Sequence, residues 1–180
     1  MKKMVFLEGL QGVGKSTIIN TIKNLNKKGT FTVDEIINEE LLNDPLLENS
    51  EESWIKNDEQ KINKHQYGLI IIDRGPISTL SFNMAKSLID KNFNPKPVID
   101  WFYRIKNIFN DENTRVLHLT NSNNNYFIRK SDELDPNGSV INQKLLESIS
   151  IYNCEKHVKN YSVLKYDNLK MKEILYEIFA

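Results

Sequence analysis

Residues Gly9 to Ser16 read GLQGVGKS, a full match to G-x-x-x-x-G-K-[ST]. The apolar run MVFLE (Met4–Glu8) leads into it, and Ile18, Ile19, Ile22 and Leu25 follow at helical spacing. A buried strand must therefore turn through glycine and leave as a helix. Gly9, Gly12 and Gly14 let backbone amides, Val13's among them, gather around one anion. The helix then points its positive dipole end at the same place. Lys15 adds a full charge for the terminal phosphates of a nucleoside triphosphate. Ser16 offers a hydroxyl to Mg²⁺, and Thr17 supports the turn or bonds an α-phosphate.

The rest of the chain alternates in the same manner. FTVDEII (Phe31–Ile37), GLIIID (Gly68–Asp73), RVLHLT (Arg115–Thr120) and YSVLKYD (Tyr161–Asp167) read as further strands. Helices are expected through Leu80, Met84 and Leu88, from Val98 to Phe109, from Ile141 to Tyr152, and from Met171 to Phe179. The segment 38–65 is acidic and mostly helical by composition, and Pro45 interrupts it. Asn92–Pro97 reads as a loop and Asp135–Gly138 as a turn. Buried strands separated by helices imply an α/β fold with a five-stranded parallel sheet covered on both faces. With its glycine motif this is the three-layer sandwich of P-loop NTPases, in one domain spanning residues 1–180.

A triphosphate site needs a metal partner, and the apolar strand LIIID ends in Asp73, placed to hold Mg²⁺ directly or through water. Capping the next helix is the structural alternative for that carboxylate. NSNNN follows the fourth strand where a small GTPase would carry Asn-Lys-x-Asp, so a GTPase is disfavoured. The length suits a small-molecule phosphotransferase.

FLEGLQGVGKST and IIIDRGPIS together resemble the thymidylate kinase and deoxynucleoside kinase group, whose loops begin with an acid and glycine and whose second signature is Asp-Arg with a nearby Ser. The resemblance is sharp over residues 4–17 and 69–79. It implies ATP as donor, Mg²⁺ as cofactor, and a nucleoside or nucleoside monophosphate as acceptor. Arg74 matches the arginine beside the acceptor, and a planar guanidinium suits charge spread over phosphoryl oxygens. Glu35 falls where the family carries the base for a nucleoside hydroxyl, with Asp34 as the adjacent alternative. Residues 121–139 fall where the family has its lid, in which Arg129 and Lys130 are the cations and the 135–138 turn is the hinge. Trp54, Phe82 and Tyr126 are candidates to stack an acceptor base, whereas Trp101 and Phe102 read as packing. Relatives often dimerise, and the aromatic helix from Val98 could serve, as could burial against its own sheet. Two rival readings are a kinase of another hydroxyl metabolite and a nucleotide-binding module without turnover.

Composition narrows the partners. Lys plus Arg and Asp plus Glu are both 24, so the zero net charge argues against a nonspecific nucleic-acid binder. No apolar run is long enough for a membrane span. The single cysteine, Cys154, fits a reducing cytoplasm and is expected half-buried on a helix. His65, His118 and His157 show no metal-ligand spacing and receive no role.

Overall fold

A computed structural model of the protein describes residues 1–44, 50–120, 136–166 and 170–180. The elements run β1 (Lys2–Glu8), α1 (Lys15–Leu25), β2 (Thr30–Val33), α2 (Glu39–Asn43), α3 (Glu51–Asn63), β3 (Gly68–Asp73), α4 (Pro76–Ile89) and α5 (Lys96–Ile105). A 3₁₀ turn (Lys106–Asn110), β4 (Thr114–Thr120), α6 (Pro136–His157), β5 (Tyr161–Lys165) and α7 (Met171–Phe179) complete the chain. The sheet has five strands in the order β2-β3-β1-β4-β5. Every pairing is parallel, with Leu7 opposite Asp73 and Glu8 opposite His118.

Side-chain parity divides the core into two layers. Met4 and Phe6 of β1, Ile70 and Ile72 of β3, and Val116 of β4 pack with Ile77, Leu80, Trp101, Phe102 and Cys154 from α4, α5 and α6. Val5, Leu7, Ile71, Leu117 and Leu119 pack on Ile18, Ile19 and Ile22 of α1 and Ile174 and Ile178 of α7. The same parity decides where the strand ends point. Glu8 and His118 continue the α4–α6 side, while Asp73 continues the α1 side.

Several sequence expectations shift at their edges. The second strand ends at Val33 rather than Ile37. Beyond it the backbone turns to side chains, since Asn57 Oδ1 accepts from the amides of Ile37 and Asn38 at 2.9 and 3.1 Å. Pro97 belongs to α5, not to a loop, because proline is at home in a helix's first turn. Residues 136–138 likewise open α6 instead of forming a turn. Leu88 is exposed, and α4 turns Ile77, Leu80 and Ala85 inward. Cys154 is fully buried, not half-buried, and burial pushes its thiol pKa up. Val98, Trp101, Phe102 and Phe109 are buried in their own core. Among the described residues, no helix is long and apolar enough to cross a membrane.

Candidate active site

The glycine loop lies between β1 and α1. Gly14 caps α1 at φ 99, in the left-handed region, and a Cβ there would sit 2.9 Å from the Tyr166 ring. Two constraints thus exclude a side chain at that position. Lys15 curls back over the loop, donating from Nζ to the carbonyls of Gly9 at 2.9 Å and Leu10 at 2.8 Å. It is buried, and burial, reinforced by the charge of Arg74, lowers its pKa to about 8, against the pull of Asp73, Glu35 and Glu8. Among the described residues this buried ammonium is hydrogen-bonded to carbonyls alone, and a triphosphate would bring it a directly bound anion. Ser16 and Thr17 are exposed at the start of α1.

Asp73 ends β3 on the α1 side, as parity requires. Its Oδ1 is buried and has no hydrogen-bond partner among the described residues. Burial raises its pKa, and Lys15 opposes that shift. Asp73 and Ser16 line one cavity of about 320 Å³, together with Asp34 and Glu35. An orphaned carboxylate oxygen beside a hydroxyl is a donor set that suits Mg²⁺, so these residues fit the metal.

Arg74 follows at φ 55, a left-handed conformation for a non-glycine residue, with its amide donating to Leu7 O at 3.0 Å. Its guanidinium meets the Glu35 carboxylate at 2.8 Å. Asp34 instead pairs with Lys23 of α1 at 2.8 Å, in solvent. Of the two adjacent acids, Glu35 is therefore the one joined to Arg74.

Glu35 and Arg74 border a second cavity of about 470 Å³, which also meets the loop at Gly9, Leu10 and Gln11. Trp54 and Phe82 line it, where the sequence reading put stacking aromatics. Other lining residues were not legible beforehand. Asp58 and Lys61 of α3 are buried and paired at 3.4 Å. Thr79 Oγ1 donates to Asp58 Oδ2 at 2.7 Å. Lys61 Nζ donates to the carbonyls of Glu35 at 3.0 Å and Asp73 at 2.9 Å, and Asn57 Nδ2 reaches Glu35 O at 2.9 Å. Helix α3 thereby ties the two strand ends that carry Glu35 and Asp73. Burial raises the pKa of Asp58, with Lys61 opposing.

His118, assigned no role from the sequence, also lines this cavity. It is buried, Ser150 Oγ lies 3.3 Å from its Nδ1, and burial with the nearby Lys15 lowers its pKa to about 4. Arg129, Lys130, Tyr126 and the segment 121–135 lie outside the described residues.

The fold is that of P-loop kinases. The chain is similar to a deoxyadenosine kinase from M. mycoides solved with bound dATP, at 16% identity and a TM-score of 0.63, covering 100% of both chains. It is also similar to the thymidylate kinase of Candida albicans, at 12% identity and a TM-score of 0.61, covering 99% of this chain and 89% of that one. The thymidylate kinase of Ehrlichia chaffeensis matches at 11% identity and a TM-score of 0.61, over 99% of each. At the level of sequence, no family model and no curated protein matches. At these identities the likeness is one of fold, and the chemistry rests on the residues above.

Proposed function

We propose that this chain transfers the γ-phosphate of ATP, with Mg²⁺, to a hydroxyl of a nucleoside. The observation that carries this reading is the Glu35–Arg74 pair at 2.8 Å, bordering the same cavity as the glycine loop. A carboxylate there can take a proton from a hydroxyl, and a monophosphate acceptor would need no such base. The charge of the cavity points the same way. Its described lining cations are Lys61 and Arg74. Lys61 is already held by Asp58 and two carbonyls, and Arg74 by Glu35. A doubly charged acceptor phosphate would have to compete with Glu35 for Arg74 and with Asp58 for Lys61.

The steps follow from positions. Lys15 leaves the carbonyls of Gly9 and Leu10 and neutralises the terminal phosphates, with loop amides from Gly12 to Thr17 around them. Ser16 and Asp73 would hold Mg²⁺, which would supply charge neutralisation on the phosphate oxygens. Glu35 accepts the hydroxyl proton as that oxygen bonds to the γ-phosphorus, and the bond to the bridging oxygen of ADP breaks. Arg74 stabilises the charge on the transferring group from the acceptor side. Trp54 and Phe82 flank the acceptor's base.

Incubation with γ-labelled ATP and a panel of nucleosides, nucleoside monophosphates and sugars tests this. Label on nucleosides alone supports the reading. Label on monophosphates or sugars contradicts the acceptor class, and ATP binding without product in any arm marks a module without turnover.

A further inference from the structure

Strand β1 ends in a fully buried carboxylate, Glu8. Ser78, in the first turn of α4, donates its hydroxyl to Glu8 Oε2. Oε1 has no partner among the described residues, and it faces Gly75, whose Cβ position lies 3.7 Å away. A real Cβ there would meet the Phe6 ring at 2.6 Å, so the Arg74–Gly75 turn sits directly on β1. The Arg74 amide bonds Leu7 O at 3.0 Å, one residue before Glu8. Arg74 itself holds φ 55, a left-handed conformation that is unfavourable for a non-glycine residue and needs outside support.

We propose that Glu8 is a positioning residue, whose carboxyl latches the start of α4 to β1 through Ser78 and so keeps the Arg74 guanidinium turned outward to Glu35. Its consequence for catalysis rests on the phosphotransfer reading above; the latch itself does not.

Charge makes the latch conditional. Arg74 from the end of β3, Asp58 and Lys61 from α3, and Lys15 from α1 all act on Glu8. His118 is its neighbour on β4, Cys154 faces it from α6, and Ser78 comes from α4. Burial dominates and pushes the carboxyl pKa up to about 8; the Ser78 bond, Lys61 and Arg74 lower it, and Asp58 raises it. Below that pH the carboxyl is uncharged and Glu35 is the only carboxylate in the pair with Arg74. Above it a buried anion lies under Arg74 and competes for the same guanidinium, whose Nε has no partner among the described residues. Lys15 titrates in the same range and acts on Arg74, so Arg74 is read in proteins that all carry Lys15→Met.

Carbon-13 signals of the Glu8 carboxyl and the Arg74 guanidinium, assigned by Glu8→Gln and Arg74→Lys, provide that readout. With Glu8 in place both are expected to move together with a midpoint near pH 8. In Glu8→Gln the Arg74 signal is expected to stay at its low-pH position, and in Glu8→Ala and Ser78→Ala to be displaced at every pH. In the transfer assay, with Lys15 intact, Glu8→Ala is expected to lower kcat about tenfold at neutral pH with little change in KM for ATP. Glu8→Gln should restore that loss and push the alkaline limb of kcat upward. The proposal is overturned if Arg74 titrates near pH 8 in Glu8→Gln, or if folded Glu8→Ala leaves the Arg74 signal unmoved. A wild type with no transfer activity would refute the kinase reading alone, leaving the carbon titrations to decide this one.

Discussion

Arg74 directly follows β3, Glu35 lies two residues beyond neighbouring β2, and the two meet at 2.8 Å, each partly exposed. Strand β2 is too short to carry Glu35 there. What delivers it is Lys61 and Asn57, which hold the Glu35 carbonyl from α3. A carboxylate and a guanidinium are thereby set side by side at the cavity, where the proposed reaction needs a base and a phosphoryl-stabilising cation.

Glu35→Gln is expected to lower kcat by about 10²-fold or more, because the proton acceptor is lost while the shape is kept. Arg74→Lys is expected to lower kcat by a comparable factor, since an ammonium does not reproduce the planar fork. KM for ATP should change little in either. Steady-state kinetics at saturating acceptor checks both.

In the proposed reaction Lys15 governs the donor side and its pH dependence. Its pKa is lowered to about 8 in the free protein, and the triphosphate binds its charged form. ATP affinity should therefore be constant below that pH and weaken above it, by about tenfold per unit as one proton must be taken up. Titration calorimetry across the alkaline range measures this. Lys15→Ala should bind ATP weakly throughout, without the inflection.

The buried Asp58–Lys61 pair makes an asymmetric prediction. Lys61→Met leaves Asp58 without its cation and the Asp73 carbonyl without its donor, while Glu35 O keeps Asn57, and is expected to cost about 3–5 kcal/mol. Replacing both residues, Asp58→Leu with Lys61→Met, should cost less than the two single changes combined, because no lone charge remains. Urea denaturation of the single and double variants provides the cycle.

His118 is neutral in the fold, with its pKa lowered to about 4. The unfolded chain takes up its proton near 6.5, so between those values the unfolded state binds more protons. Stability should fall as pH drops through that window, by on the order of 3 kcal/mol in all. His118→Phe should flatten this part of the stability profile, as denaturation midpoints at several pH values would show.

Much of the frame was legible in the chain because buried parallel strands are contiguous apolar runs. GLIIID was found with the bounds it has in the fold, 68–73. The loop and Asp73 were legible because their chemistry is written locally, as glycines before a lysine and an acid after isoleucines. FTVDEII misled because apolar Ile36 and Ile37 mimic a strand, while the amide of Ile37 and the carbonyl of Glu35 are drawn to Asn57 and Lys61. Those residues were illegible for the same reason. An Asn, Asp or Lys within a charged helix reads as a solvated face until the tertiary fold turns it inward. His118 was hidden likewise, a polar residue at the end of an apolar strand whose meaning depends on Ser150 from a distant helix. The turn expected at residues 135–138 failed because Pro136 at a helix start looks the same as a proline in a turn.

The most direct measurement is the transfer of γ-label from ATP to a nucleoside panel by wild type, Glu35→Gln and Lys15→Ala. The account expects a labelled nucleoside monophosphate from the wild type, about 10²-fold less from Glu35→Gln, and none above background from Lys15→Ala. A folded Lys15→Ala protein that transfers as well as the wild type, or label appearing only on monophosphates, would contradict it.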